Sequence, residues 1–217
     1  MPSAHLIYTG IIVPLSVLLP LAAGIARYKA LPKALRIIFF YLWVDGLVNL
    51  VAILLADFHV NNLPVLHVFT ILEWWCLAYF YRQVLNSAPA KRILLYGMIC
   101  FPVICIINFT WFQSLLHFNT YTRPLETLLV MGCSLAYFAQ TNDAATAWGQ
   151  SAINWINTGI LLYFSGALFI FSFSNLTVTH MSRKVASINV LVWNIHATLL
   201  LAMYLLFTIG FLKCRNT

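Results

Sequence analysis

The chain has 217 residues, of which 62% are hydrophobic and 8% charged, and its mean hydropathy is +0.89. A soluble fold of this size cannot bury so much apolar surface, which excludes a soluble enzyme, a nucleic-acid-binding domain and a disordered chain. The 12 Lys and Arg outnumber the 5 Asp and Glu, for a formal charge of +7, but they fall in short clusters between apolar runs and read as membrane-topology signals.

A bilayer-spanning helix needs about 20 mostly apolar residues. Seven stretches meet this: 6–26, 37–57, 64–83, 93–110, 124–141, 152–175 and 187–212. The predicted fold is an all-α integral membrane protein, a single seven-helix bundle over 1–217.

The first stretch has no basic residue ahead of it and is followed by Arg27, Lys29, Lys33 and Arg36. That is the reverse of a cleavable signal, so it is read as a span of the mature protein. Pro14 and Pro20 predict kinks in it, and His5, Tyr8, Thr9 and Ser16 share one face. In the second stretch Tyr41, Asp45 and Asn49 recur at i, i+4, i+8, with Ala52 and Ala56 continuing the stripe. In the third, His67, Thr70, Glu73, Trp74 and Tyr81 fall within about a third of the circumference. The fourth is nearly all apolar, carries Pro102, and is expected to be the most lipid-exposed.

The fifth aligns Glu126, Cys133, Tyr137 and Gln140. Arg123 and Glu126, three apart on one helix near the membrane interface, suggest a local salt bridge. The sixth carries Asn154, Asn157, Thr158, Ser165 and Ser172, and the seventh Asn189, Trp193 and His196. By default the seven tryptophans and ten tyrosines are read mostly as interfacial anchors. The string Leu-Ala-Tyr-Phe occurs at Leu77–Phe80 and Leu135–Phe138 without matching flanks, so it is taken as coincidence.

Orientation follows from the basic residues. Arg27, Lys29, Lys33, Arg36, Arg82, Lys91, Arg92, Lys213 and Arg215 fall on one side, against Arg123, Arg183 and Lys184 on the other. The positive-inside rule then places the N-terminus outside and the C-terminus in the cytoplasm. The loop around Asp143 has no Lys or Arg and does not contribute. The expected location is a cell membrane crossed many times, read as the inner membrane of a bacterium.

At 1.5 Å per residue, Asp45, Asn49, Glu73, His196 and Ser165 lie near the midplane. They form the candidate ligand or ion pathway. His67, Glu126 and Arg123 form a candidate outer vestibule. Ionisable groups at membrane depth are costly and usually serve a function. The alternative is that they satisfy one another as interhelical glue, with Asp45 bonded to Asn49 and Glu73 paired with His196.

Three functions are compatible: a transporter or small-ligand binder, a sensor or accessory subunit working through a protein partner, and an intramembrane enzyme. The lysines, Lys29, Lys33, Lys91, Lys184 and Lys213, all lie in loops or at helix ends, which excludes covalent retinal. There is no zinc-protease helix, nucleophile elbow or phosphate loop. No cofactor is expected, and no metal, although His67, Glu73, His196 and Asp45 include metal-binding residue types. Cys76, Cys100, Cys105, Cys133 and Cys214 lack metal or disulfide spacing and read as small apolar fillers. The expected partners are the bilayer and a small molecule or ion, not nucleic acid.

Overall fold

The computed structural model describes residues 4–141, 147–179 and 183–214, with side chains described in these except at residue 4 and over 173–187. Asp143, Arg215 and the side chains of Arg183 and Lys184 therefore lie outside the described residues. The described residues contain helices and no strands.

Seven long helical runs follow one another. They are α1 (His5–Ala26), α2 (Lys33–Asp57), α3 (Leu63–Val84), α4 (Ala88–Phe112), α5 (Thr122–Thr141), α6 (Ala152–Thr179) and α7 (Arg183–Lys213). Six of them, all but α5, contain stretches long and apolar enough to cross a membrane. The chain is thus a polytopic membrane protein of all-α type.

Helix ends follow from local chemistry. Pro32, Pro64 and Pro89 stand at helix starts, where a missing N–H costs nothing. Ser87 Oγ caps α4 by accepting from Ala90 N–H at 3.4 Å. Asn119 Oδ1 caps α5, accepting from the N–H groups of Thr122 (3.0 Å) and Arg123 (3.2 Å).

Proline disturbs two helices in different ways. In α1, a π-helical turn over Tyr8–Ile12 precedes Pro14, a short α-helical piece covers Val13–Leu15, and after a break at 16–17 regular helix continues over Leu18–Ala26. Pro20 cannot donate to the Ser16 carbonyl, which instead accepts from Leu19 N–H at 3.1 Å. In α4, Pro102 leaves the Met98 carbonyl without its helical donor. Trp75 of α3 fills the gap, its indole N–H donating at 2.6 Å. Trp74 does the same to the neighbouring Gly97 carbonyl at 2.9 Å.

The helices form a ring. α1 packs on α2 and α7, α2 on α3, α3 on α5, α5 on α6, and α6 on α7. α4 stands outside, attached mainly to α3. Its position agrees with its apolar sequence, although α2 buries no larger share of its span, 28% in each case. The tightest contact is α6 against α7, where glycines let the backbones approach. A Cβ on Gly166 would overlap Leu199, and one on Gly159 would stand 3.0 Å from Phe207.

Candidate functional site

Inside the ring lies a cavity of about 200 Å³. It is bordered by α2, α3, α5, α6 and α7 and by the 113–121 segment, which contributes Phe118 and Asn119. Gln113 and Thr120 tie that segment together through two bonds, Gln113 Nε2 to Thr120 Oγ1 at 2.8 Å and Thr120 N–H to Gln113 Oε1 at 3.2 Å. The Asn119 cap then aims the first turn of α5, and with it Arg123, at the cavity.

Arg123 is the centre of an ion-pair cluster. Its Nη1 donates to Glu73 Oε2 and, at 2.7 Å, to Glu126 Oε2. The guanidinium also stands over Phe171, 4.6 Å from the ring centre. Tyr41 Oη donates to the other oxygen of Glu73 at 2.6 Å. Glu73 and Glu126 are 1% and 0% exposed, so both carboxylates depend on these contacts.

Asp45 lies in the same cavity but has no basic hydrogen-bond partner among the described residues. Tyr204 Oη donates to its Oδ2, and Asn49 Nδ2 to its Oδ1 at 3.0 Å. His196 bonds Tyr163 Oη through Nε2 at 3.1 Å, and its ring meets Trp193 edge-on. His67 is buried on the cavity wall. Its Nε2 meets the His117 carbonyl at 2.9 Å, and its Nδ1 has no partner among the described residues.

Of the residues singled out from sequence, Asp45, Asn49, Glu73, His196, His67 and Arg123 all border this one cavity. Glu126 sits behind Arg123 and does not line it. Ser165 does not either: its Oγ donates to the Leu162 carbonyl of its own helix at 3.2 Å. In hydrocarbon a serine can satisfy itself this way, so serines on a helix do not mark its inner face. The inner face of α6 runs instead through Ile156, Ile160, Tyr163, Phe164 and Ala167.

Glu73 pairs with Arg123, not His196. The local Arg123–Glu126 salt bridge is present, and the same guanidinium also reaches across to α3. The expected anchor role also fails for several tyrosines: Tyr41, Tyr81, Tyr137, Tyr163 and Tyr204 are buried hydrogen-bonding partners. Tyr204 and Tyr163 went unrecognised. Tyr204 lies eight residues after His196 and was legible as a continuation of that stripe, whereas Tyr163 sits among apolar residues and had no polar signal.

A second polar layer joins α3, α5 and α6. Tyr81 Oη donates to Asn157 Oδ1 at 2.8 Å, and Asn157 Nδ2 to the Ser134 carbonyl at 3.2 Å. Tyr137 Oη donates to Asn154 Oδ1 at 2.8 Å. These groups satisfy one another and act as glue.

Among the described residues no three His, Cys, Asp or Glu side chains gather closely enough to hold a metal ion, so the candidate ligands named above do not form such a centre. All five cysteines are free thiols. No protein-family model matches the chain, and it has no significant match among curated proteins or solved structures.

Proposed function

We propose that the chain is a seven-span membrane protein whose central cavity takes up a small ligand or ion from the outer side, as a transporter or binding protein does. The carrying observation is the open volume of about 200 Å³ beside Asp45, Glu73, Arg123 and His67. Interhelical glue needs polar groups to touch, as they do in the Tyr81–Asn157 layer. It does not need space next to them.

In this reading α5 is the seventh span. Its 20 residues rise about 30 Å, the thickness of the hydrocarbon core. Its low hydropathy comes mainly from Arg123, Glu126 and Gln140; Glu126, Thr127, Ser134 and Tyr137 are buried, while Leu128, Leu129 and Leu135 remain exposed for lipid. With Arg123 inside the bundle, only Arg183 and Lys184 oppose the basic residues of the other face. The charge bias for an outer N-terminus and a cytoplasmic C-terminus therefore widens. The 113–121 segment then covers the outer mouth of the cavity, and the Tyr81–Asn157 and Tyr137–Asn154 layer closes the inner end. The location that fits is the inner membrane of a bacterium.

Accessibility labelling tests this. The five native cysteines are replaced by alanine, and Val48, on the cavity wall, by cysteine. A small charged, membrane-impermeant methanethiosulfonate should label Val48→Cys in intact cells when added from outside. Absence of labelling from either side in a folded protein would identify a sealed polar core. Labelling from the cytoplasmic side alone would invert the topology.

A further inference from the structure

We propose that the ligand of this cavity is a small organic ammonium ion carrying a ring-sized apolar body. The proposal rests on the cavity being a binding site and adds the class of ligand it takes.

The first observation is charge. Three carboxylates, Asp45, Glu73 and Glu126, face a single guanidinium in the ring interior. Arg123 is shared by the two glutamates. Asp45, 4% exposed, receives among the described residues only the neutral donors Tyr204 and Asn49. Neutral donors orient an ionised carboxylate but do not cancel its charge, and at membrane depth that charge is costly. A cation in the adjoining space supplies the missing partner.

The second observation is independent of the acids. His67 lines the same cavity at 1% exposure. Its Nε2 meets a carbonyl oxygen, so that nitrogen carries the hydrogen. Nδ1 is then a bare acceptor, with no donor supplied by the described residues. With its one ring hydrogen held by the His117 carbonyl and Nδ1 bare, His67 offers no donor to an anionic ligand on this wall, whereas a cation needs none.

The third observation is the apolar lining. Phe69, Phe118, Tyr163, Phe171 and Trp193 border the space around Asp45. Aromatic faces attract cations, most strongly where water is excluded, and they accept a flat apolar body equally well. An inorganic divalent ion fits poorly: calcium takes six to eight oxygen ligands, and no metal-binding group of three acidic, histidine or cysteine side chains is present among the described residues. The cavity's volume of about 200 Å³ lies below the roughly 300–1,000 Å³ of drug-sized sites, which limits the ligand to a small amine.

The test uses the purified full-length protein in lipid nanodiscs and three probes of one shape: 2-phenylethylammonium, neutral 2-phenylethanol and anionic phenylacetate. Binding is read by tryptophan fluorescence and by isothermal titration. The ammonium should bind and the other two should bind far more weakly. Asp45→Asn keeps the side chain's size and should weaken ammonium binding by about thirtyfold or more, with binding of the alcohol unchanged. Trp193→Leu should weaken it roughly fivefold, independently of the Asp45 bonds. Equal affinity for the alcohol and the ammonium would overturn the proposal, as would full affinity in Asp45→Asn. If Val48→Cys is labelled from outside but the ammonium does not bind, the ligand class is wrong and the binding-site reading stands. If neither labelling nor binding occurs, the binding-site reading itself fails.

Discussion

Replacing Arg123 by methionine removes the one cation shared by two carboxylates. Methionine matches the length of the arginine stem but offers no donor, so Glu73 Oε2 and Glu126 Oε2 both lose their partner. Glu73 keeps the Tyr41 hydroxyl at 2.6 Å. Glu126 keeps nothing among the described residues, since its Oε1 already has no partner. Breaking a buried pair by removing one side costs about 3–5 kcal/mol, because an uncompensated charge stays behind. The expected loss is in that range, and most of it should come from Glu126, the carboxylate with less left. A cycle separates the pair from the packing. Arg123→Met combined with Glu73→Gln and Glu126→Gln leaves no orphaned charge, and its cost should fall to about 1–2 kcal/mol. Unfolding in mixed micelles with increasing dodecyl sulfate, followed by circular dichroism and tryptophan emission, measures both. A single substitution costing less than about 1 kcal/mol would refute the reasoning, as would a triple variant no more stable than the single.

Four further outcomes are expected. Trp75→Phe strips the donor from the Met98 carbonyl and should cost about 1–3 kcal/mol in the same unfolding assay. Pro102→Ala should suppress that loss, because residue 102 then supplies the helical N–H; an undiminished loss would discount the proline as its cause. Gly166→Val forces α6 off Leu199 and should cost roughly 1–3 kcal/mol, seen as reduced thermal stability of the detergent-solubilised protein. Tyr204→Phe removes a hydrogen bond to Asp45 and should cost about 1.5–3 kcal/mol, less in an Asp45→Asn background, by a double-mutant unfolding cycle. Ser165→Ala should stay within about 0.5 kcal/mol of the parent and leave probe binding intact; lost binding would put Ser165 back at the site.

The helices were legible because each depends on its own residues. The run 6–26 differs from His5–Ala26 by one residue at one end, and 64–83 from Leu63–Val84 by one residue at each end. Stripes were a weaker guide. On α2 the Tyr41, Asp45, Asn49 stripe does face the cavity, because a carboxylate finds no free donor in its own helix backbone and Asp45 must draw on Tyr204 of α7; Asn49, by contrast, also bonds the Asp45 carbonyl of its own helix. On α6 the serines misled, because Ser165 and Ser172 bond the carbonyls of Leu162 and Leu168 within their own helix. Beyond Asn154 and Asn157, which the stripe did place inside, the interior of that helix is aromatic and aliphatic, and hydropathy does not separate a ring facing lipid from one facing a protein core.

Composition alone determined that this is a membrane protein built of helices, since hydropathy and helix length are sums over neighbouring residues. It also selected Asp45, Glu73 and His196 as groups that hydrocarbon cannot tolerate unattended. Which partner each one found was decided only by tertiary structure. Arg123, placed in sequence beside Glu126 at the start of a helix, is turned by the Asn119 cap toward Glu73, fifty residues away. Tyr204 reaches Asp45 across 159 positions because α7 returns to lie near α2. Such pairings depend on the order and rotation of helices around a closed ring, and no local pattern of residues records either one.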